Sequence, residues 1–356
     1  MKSSLYAFAT IVGLQALTAG AALAQMTATV NVDCTKGKSI NKALDQHKNA
    51  QNLIVEIEGM CTENVIVTRD RVTLRGVNPS TDGIQAVSNV APIDAALWVR
   101  GAHEVTIENL KLTGGFAGLL STEVSTTHLR LVNSRLEGNS TYGALLQFSL
   151  MQAEDTVFSS NGNFNAGVFI SRLECAGCTF SNPLGVGALG SLRNNVIAQR
   201  STVILSATAL TSGGINLLDS FLGVTDSTID APAPDASVSG GQTIFNLTRV
   251  QVGGPMRFSQ SSNALLLGVT QTPGGPANLV DDNSLVRIGD ASPATGGPPS
   301  IASTVLGFSI QNFSNGSLIQ TSQINGNLNC GPGANAFCAN PANVSGTSNC
   351  ALCPKP

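Results

Sequence analysis

A short phrase returns about every two dozen residues between His103 and Thr272, and that recurrence leaves very few architectures open. It reads apolar, any, apolar, two turn residues, any, apolar, as in VTIENLKL, LRLVNSRL and LGVTDSTI. The central apolar residues are Ile107, Leu131, Ala153, Cys175, Ala198, Val224, Leu247 and Leu267. A trailing set, Leu112, Leu136, Phe158, Phe180, Val203, Ile229, Val252 and Thr272, keeps the same steps. A period of this length signals a solenoid. Apolar residues two apart, followed by a polar bend, exclude an amphipathic helix and predict two short strands meeting at a corner. A third strand is expected after each of Gly118, Gly143, Gly167, Gly187 and Gly214, read as residues with φ values closed to other side chains. Each repeat is then one coil of three strands. Strands rise ~3.3 Å per residue and successive coils stack ~4.8 Å apart in parallel. Stacking places like on like, and each buried Leu, Ile, Val or Phe contributes roughly 1.5 to 3 kcal/mol.

The bend holds Asn109, Asn133 and Asp155 in consecutive coils, followed by Gly177, Arg200, Asp226 and Arg249. Stacked side-chain amides there can satisfy one another. With this ladder the chain resembles the right-handed parallel β-helix proteins, the pectin-lyase-like group. The resemblance covers most of the chain beyond the leader and is architectural. It implies an all-β, right-handed parallel β-helix solenoid of three-stranded coils, with a short N-terminal capping helix and a Cys-rich C-terminal cap. That fold carries lyases, hydrolases, epimerases, phage tailspikes and adhesins, so it implies no single activity.

Residues 1–24 read as a signal peptide: Lys2, an apolar core from Leu5 to Leu17, and the small-residue site Ala22, Leu23, Ala24. The product is expected to be secreted or periplasmic, and no later apolar run offers a membrane span. Residues 25–60 form an N-terminal cap, in which Ser39 caps a helix SINKALDQH that presents Ile40, Ala43 and Leu44. Residues 61–325 are the β-helix and 326–356 the Cys-rich cap. The segment NPSTDGIQAVSNVAP, with its core at 79–92, reads as a loop projecting from the coil, and 272–276 and 290–300 read as further loops. Only 12% of residues are charged and the net charge is -3, which gives no reason to expect nucleic acid as a partner. No Glu follows Glu174, and no Lys lies between Lys111 and Lys355.

Eight cysteines in an exported chain suggest four disulfides. Cys34 and Cys61 flank the capping helix, and Cys175 and Cys178 occupy inward positions of one coil, as a structural pair or as two packed thiols. Cys330, Cys338, Cys350 and Cys353 read as a stapled end, with four-Cys zinc as the alternative.

The alternation that turns Leu74, Ile107 and Leu131 inward turns their neighbours outward in three columns. One stacks Arg71, Glu104, His128, Leu150 and Arg172; the next Thr73, Thr106, Arg130, Gln152 and Glu174; the third Arg75, Glu108, Val132, Glu154 and Ala176. A ladder of surface ion pairs, each worth ~0 to 1 kcal/mol, is the bland reading. The sharper one is a polysaccharide groove, with Arg71, Glu104, Arg130, Arg172 and Glu174 as substrate-binding candidates. Lytic cleavage of a uronate polymer needs a base and cations, which His128 and Arg130 with Arg71 and Arg172 could supply. Hydrolysis needs two placed carboxylic acids, and Glu104, Glu108, Glu154 and Glu174 offer no special pair. The triplets that mark polygalacturonases and pectate lyases, Asn-Thr-Asp, Gly-His-Gly and Arg-Ile-Lys, are missing, and the outward face has no clear Asp cluster for calcium. Trp98 is expected to pack in the core, with a sugar platform as its second role. The leading expectation is therefore an exported β-helix that contacts an extracellular or cell-envelope polysaccharide, or a surface partner, without turning it over. No cofactor is expected for it. A polysaccharide lyase or hydrolase, the lyase being the one case that leaves calcium open, and an adhesin or structural surface protein are the alternatives.

Overall fold

The computed structural model describes residues 27–88, 94–181, 194–231, 236–272, 277–289, 303–318, 322–339 and 343–353, the side chains of 123–126 excepted. The leader, Gly187 and the larger part of the loops at 272–276 and 290–300 lie outside them. Within them the chain winds into a parallel solenoid with three faces. The first face begins with Thr27–Asp33 paired to Asn52–Glu58 and ends with Asn335–Cys338. The second begins with Met60–Thr62 under Gly83–Gln85, and the third with Val65–Val67 under Ala95–Val99. Every pairing between strands is parallel, as expected of a chain that adds strands by going round rather than turning back.

The core is built by stacking. Ile107 lies beneath Leu131, then Ala153 and Cys175, all at most 3% exposed. On the second face Leu112, Leu136, Phe158 and Phe180 stack in register, and the rings of the two Phe lie parallel with centroids 4.6 Å apart. Past Phe180 the register differs from the sequence reading. Cys175 stacks on Leu205 and Phe180 on Leu210, whereas Ala198 stacks on Val168 in the third face and Val203 on Leu173. This coil is longer than its neighbours, and the two-residue alternation of VIAQRSTV suits either face. The stack continues through Val224, Leu247 and Leu266, one position before Leu267, and on the second face Gln271 rather than Thr272 follows Val252.

Residues of positive φ serve all three corners, as Phe148, Asp155 and Ser160 do in one coil. One corner holds Asn109, Asn133, Asp155, Gly177, Ala207, Asp226 and Arg249, so Ala207 stands where Arg200 was expected. Asn133 Nδ2 donates to Asn109 Oδ1 at 2.8 Å, the predicted amide contact. The glycines before the third strand serve a different purpose from the one read in the sequence. Gly118 and Gly143 are not among the positive-φ residues; a Cβ on Gly143 would sit 2.5 Å from the Asn165 carbonyl oxygen and 2.7 Å from Asn161 Nδ2. They make room for a buried amide ladder, in which Asn139 donates to Asn161, Asn161 to Asn165 and Asn165 to Asn195 at 2.7–2.9 Å. The predicted projecting loop also contains regular structure: Gly83–Gln85 is a second-face strand whose Ile84 is fully buried.

The N-terminal helix Ile40–Gln46 buries Ile40, Ala43 and Leu44 over the open end of the coil, as its pattern predicts. Ser39 Oγ accepts from Lys42 N at 3.2 Å, and the Glu63 carboxylate of the coil accepts from Ile40 N at 2.6 Å. Anions are favoured at such a terminus, so this contact ties helix to solenoid. Cys34 is bonded to Cys61, Cys330 to Cys350 and Cys338 to Cys353. The expected fourth disulfide is absent: Cys175 and Cys178 are free and buried. Cys175 fills the first-face stack, while the turn at Gly177 (φ 66°) brings Cys178 Sγ to 3.6 Å from the Ala153 carbonyl oxygen. Burial, reinforced by Cys178 beside it, pushes the Cys175 thiol well up, so it stays protonated. Among the described residues no helix is long and apolar enough to cross a membrane.

Candidate functional site

The outward columns of the first face stand in the register read from the sequence: Thr106 lies beside Arg130, Gln152 and Glu174 in turn, and His128 beside Leu150 and Arg172. Their charges are paired off. Arg71 meets Glu104 at 3.1 Å, Arg75 meets Glu108 at 2.7 Å, Arg130 reaches diagonally to Glu154 at 2.9 Å, and Arg172 holds Glu174 of its own strand at 2.5 Å. Arg71, Arg130 and Arg172 thus lie on separate coils, each neutralised by a carboxylate. Glu174 also accepts from Gln152 Nε2 at 2.8 Å, and Gln152 and then Arg172 hold it below its ordinary value although partial burial opposes them. An acid kept ionised this way cannot donate a proton to a leaving group. His128 is exposed, with its ring edge-on to His103 at 5.7 Å.

A second set of residues, not singled out in the sequence, gathers at the corner where the third face turns into the first. There the backbone N–H of one serine donates to the hydroxyl of the serine in the next coil: Ser149 to Ser171 at 3.0 Å, Ser171 to Ser201 at 3.1 Å and Ser201 to Ser220 at 3.1 Å. The column continues from Thr243 to Ser262, Ser284 and Ser314. Its hydroxyls take the place of the carbonyls that the bend removes from the strand ladder, so these backbone donors are paired within the column. The residue before each serine takes positive φ and points out: Phe148 (φ 52°), Ile170 (φ 48°), Arg200 (φ 49°) and Asp219 (φ 50°). For a β-branched residue such as Ile170 this is a genuine outlier, since Gly or Asn would fit more easily.

These outward residues wall a shallow groove of about 830 Å³ that also takes in His128, Leu150, Arg172, Thr202 and Phe221. Phe148 and Ile170 are 40% and 48% exposed. Arg200 Nε lies 3.6 Å from Asp219 Oδ2, so the polar wall is nearly neutral. Of the predicted residues the groove brings together His128 and Arg172; Arg130 and Glu104 lie in a smaller adjoining hollow that His128 shares, while Arg71 lines neither. The signal that could have found the groove is the recurrent pair of outward residue and serine, Phe-Ser, Ile-Ser, Arg-Ser and Asp-Ser.

Trp98 packs, but outside the coil. It is half-buried on the third face beside Leu120 and Leu145, with the Arg100 guanidinium 4.6 Å from its ring centroid, and Tyr142 lies nearby between Phe116 and Phe164. Among the described residues no group of three or more His, Cys, Asp or Glu could hold a metal ion.

With the parallel pairing of all three faces in view, the architecture is decided. The chain is a parallel β-helix. No protein-family model matches this β-helix, and no curated protein does. Solved structures similar to it include an alginate lyase from a Paenibacillus species (10% identity over 89% of this chain and 98% of that one, TM-score 0.45). A DFA-IIIase from Arthrobacter chlorophenolicus, without its lid, has 10% identity over 92% and 100% of the two chains and a TM-score of 0.39. A GH87 alpha-1,3-glucanase catalytic unit from Streptomyces thermodiastaticus has 12% identity over 92% and 69%, with a TM-score of 0.35. At such values the likeness carries nothing about the chemistry of this β-helix.

Proposed function

We propose that this β-helix is an exported protein that binds an extracellular or cell-envelope polysaccharide in the corner groove without turning it over. The observation that carries the reading is the pair Phe148 and Ile170. Both are large, apolar and exposed, and both sit on left-handed backbone, a conformation that costs of order 1–3 kcal/mol and concentrates at functional sites. A concave strip with apolar side chains and a few polar groups at its edge suits the ring faces and hydroxyls of a sugar chain. The three disulfides fit an oxidising compartment.

Affinity electrophoresis through gels containing single polysaccharides tests this reading. Phe148→Ser with Ile170→Ser should abolish the retardation of the parent protein while leaving its melting unchanged; undiminished retardation of the double variant rejects the groove. A lyase is the second reading, favoured by the placement of His128 in the groove wall beside Arg172. It requires new unsaturated ends on a uronate polymer and their loss in His128→Ala. A two-acid hydrolase is less well served, because Glu174 and Asp219 each lie against an arginine.

A further inference from the structure

Beyond the groove the first face changes character. The strands Thr202–Ser206, Phe221–Thr225, Ile244–Thr248 and Asn263–Leu267 lie side by side in strict register and carry no ionisable side chain. The preceding strands of the same face, by contrast, carry a charge on every coil from Arg71 to Glu174. Past the last of these strands Arg287 stands beside Leu265, and each of the two corner edges of the floor holds one ion pair. On one edge Arg200 faces Asp219; on the other, Arg249 is bound through two nitrogens to Asp226 at 2.5 and 2.7 Å. Arg249, by donating hydrogen bonds and by its charge, holds the Asp226 carboxyl below its ordinary value, so that pair stays ionised and internally balanced.

The floor alternates apolar and hydrogen-bonding groups. Phe221 adjoins Ile244, Asn246 adjoins Leu265, and Thr225 adjoins Thr248. It is continuous with the groove, since Thr202 and Phe221 line both. Five residues per strand over four strands make a nearly flat surface of roughly 300 Å². A stable protein partner needs on the order of 800 Å² on each side, so neither a second copy nor another folded protein is well matched to it. A polyanion laid across the four strands would give up hydration without meeting a cation on any of them; the arginines at the two corner edges are already neutralised, and Arg287 lies one strand beyond. Uncharged sugar rings, with apolar C–H faces and hydroxyl rims, fit both kinds of group.

We infer that the glycan is uncharged and runs from the groove onto the floor formed by these four strands, its rings over Phe221, Ile244 and Leu265 and its hydroxyls toward Asn246, Thr225 and Thr248. This rests on the glycan-binding reading above and names the class of its ligand.

The test uses the full-length secreted protein with soluble neutral glycans (a mixed-linkage β-glucan and xyloglucan) and acidic ones (polygalacturonate and alginate), in the parent and in Ile244→Lys. Ile244 is 50% exposed, so a lysine there can reach solvent; Thr248→Lys, in the same strand, stands in if melting shows that the first variant is unfolded. Retardation by a neutral glycan that Ile244→Lys weakens by about tenfold or more supports the inference. Neutral binding untouched by either lysine overturns the floor. Binding of acidic glycans alone, strengthened by the added cation, overturns neutrality yet leaves the glycan reading standing. No retardation by any of the four rejects glycan binding itself for these classes. A parent dimer in sedimentation that Ile244→Lys dissociates assigns the floor to self-association instead and overturns the inference.

Discussion

Replacing Ser201 with Ala removes one rung of the hydroxyl column beneath the groove, and the cost can be worked from its partners. Ser201 Oγ accepts from Ser171 N at 3.1 Å and itself donates to the Gln199 carbonyl at 2.7 Å. The alanine would leave the Ser171 N–H facing a methyl group in a buried corner, and a buried donor without a partner costs about 1–3 kcal/mol. The Ser201 N–H keeps its bond to Ser220 Oγ, since that donor is backbone. Ser201→Thr supplies the control: it restores the acceptor, and the column already admits threonine at Thr243, whose hydroxyl donates to the Gly241 carbonyl at 2.8 Å. Urea unfolding followed by far-UV circular dichroism should give a lower midpoint for the alanine variant at unchanged slope, and a near-parent midpoint for threonine. The Ser171 N–H belongs to the residue after Ile170, so the alanine variant should also bind glycan more weakly. An alanine variant within about 0.5 kcal/mol of the parent, or a threonine variant as unstable as the alanine, would falsify the claim that the hydroxyls hold this corner.

Two further expectations concern the ends and the middle of the stack. The Asp33 carboxyl, hydrogen-bonded first by Lys36 and then by Thr35, is lowered from 3.8 to about 2. Its contribution is present above the unfolded value near 4 and is lost as pH falls toward 2, so thermal melting between pH 5 and pH 2 should drop less in Asp33→Asn than in the parent; equal drops refute it. Alkylation without reductant should label no thiol in the native protein and two per chain, Cys175 and Cys178, once guanidinium unfolds it. Finding none after unfolding would restore the fourth disulfide.

The repeat made the solenoid legible because stacking forces one inward residue to lie over its counterpart, so the sequence spacing of Ile107, Leu131, Ala153 and Cys175 is itself the spatial register. The outward columns follow from the same alternation. The register was misread at Ala198 because alternation alone does not say which face a strand belongs to, and the long coil before it broke the count. The glycines were misread because a required close approach and a required φ leave the same residue in a sequence; only the position of Asn161 and Asn165 against Gly143 separates the two. The groove was missed because its walls are assembled from corner residues. Phe148, Ile170, Arg200 and Asp219 share a backbone conformation rather than a chemistry, and their common signal is the small serine that follows each.

The three disulfides bear on how such a stack comes apart. Each coil of a solenoid touches little besides the coils above and below it, so loosening is easiest where one neighbour is missing. Cys34–Cys61 closes a span of 27 residues at the first coil, and Cys330–Cys350 and Cys338–Cys353 close spans of 20 and 15 at the last ones. Peeling from either tip is therefore blocked by covalent bonds, while the interior, with Cys175 and Cys178 unlinked, has only its packing. Heat should then breach the stack amidships, opening two coil interfaces at once, which makes the protein's persistence a matter of unfolding rate and not of end fraying.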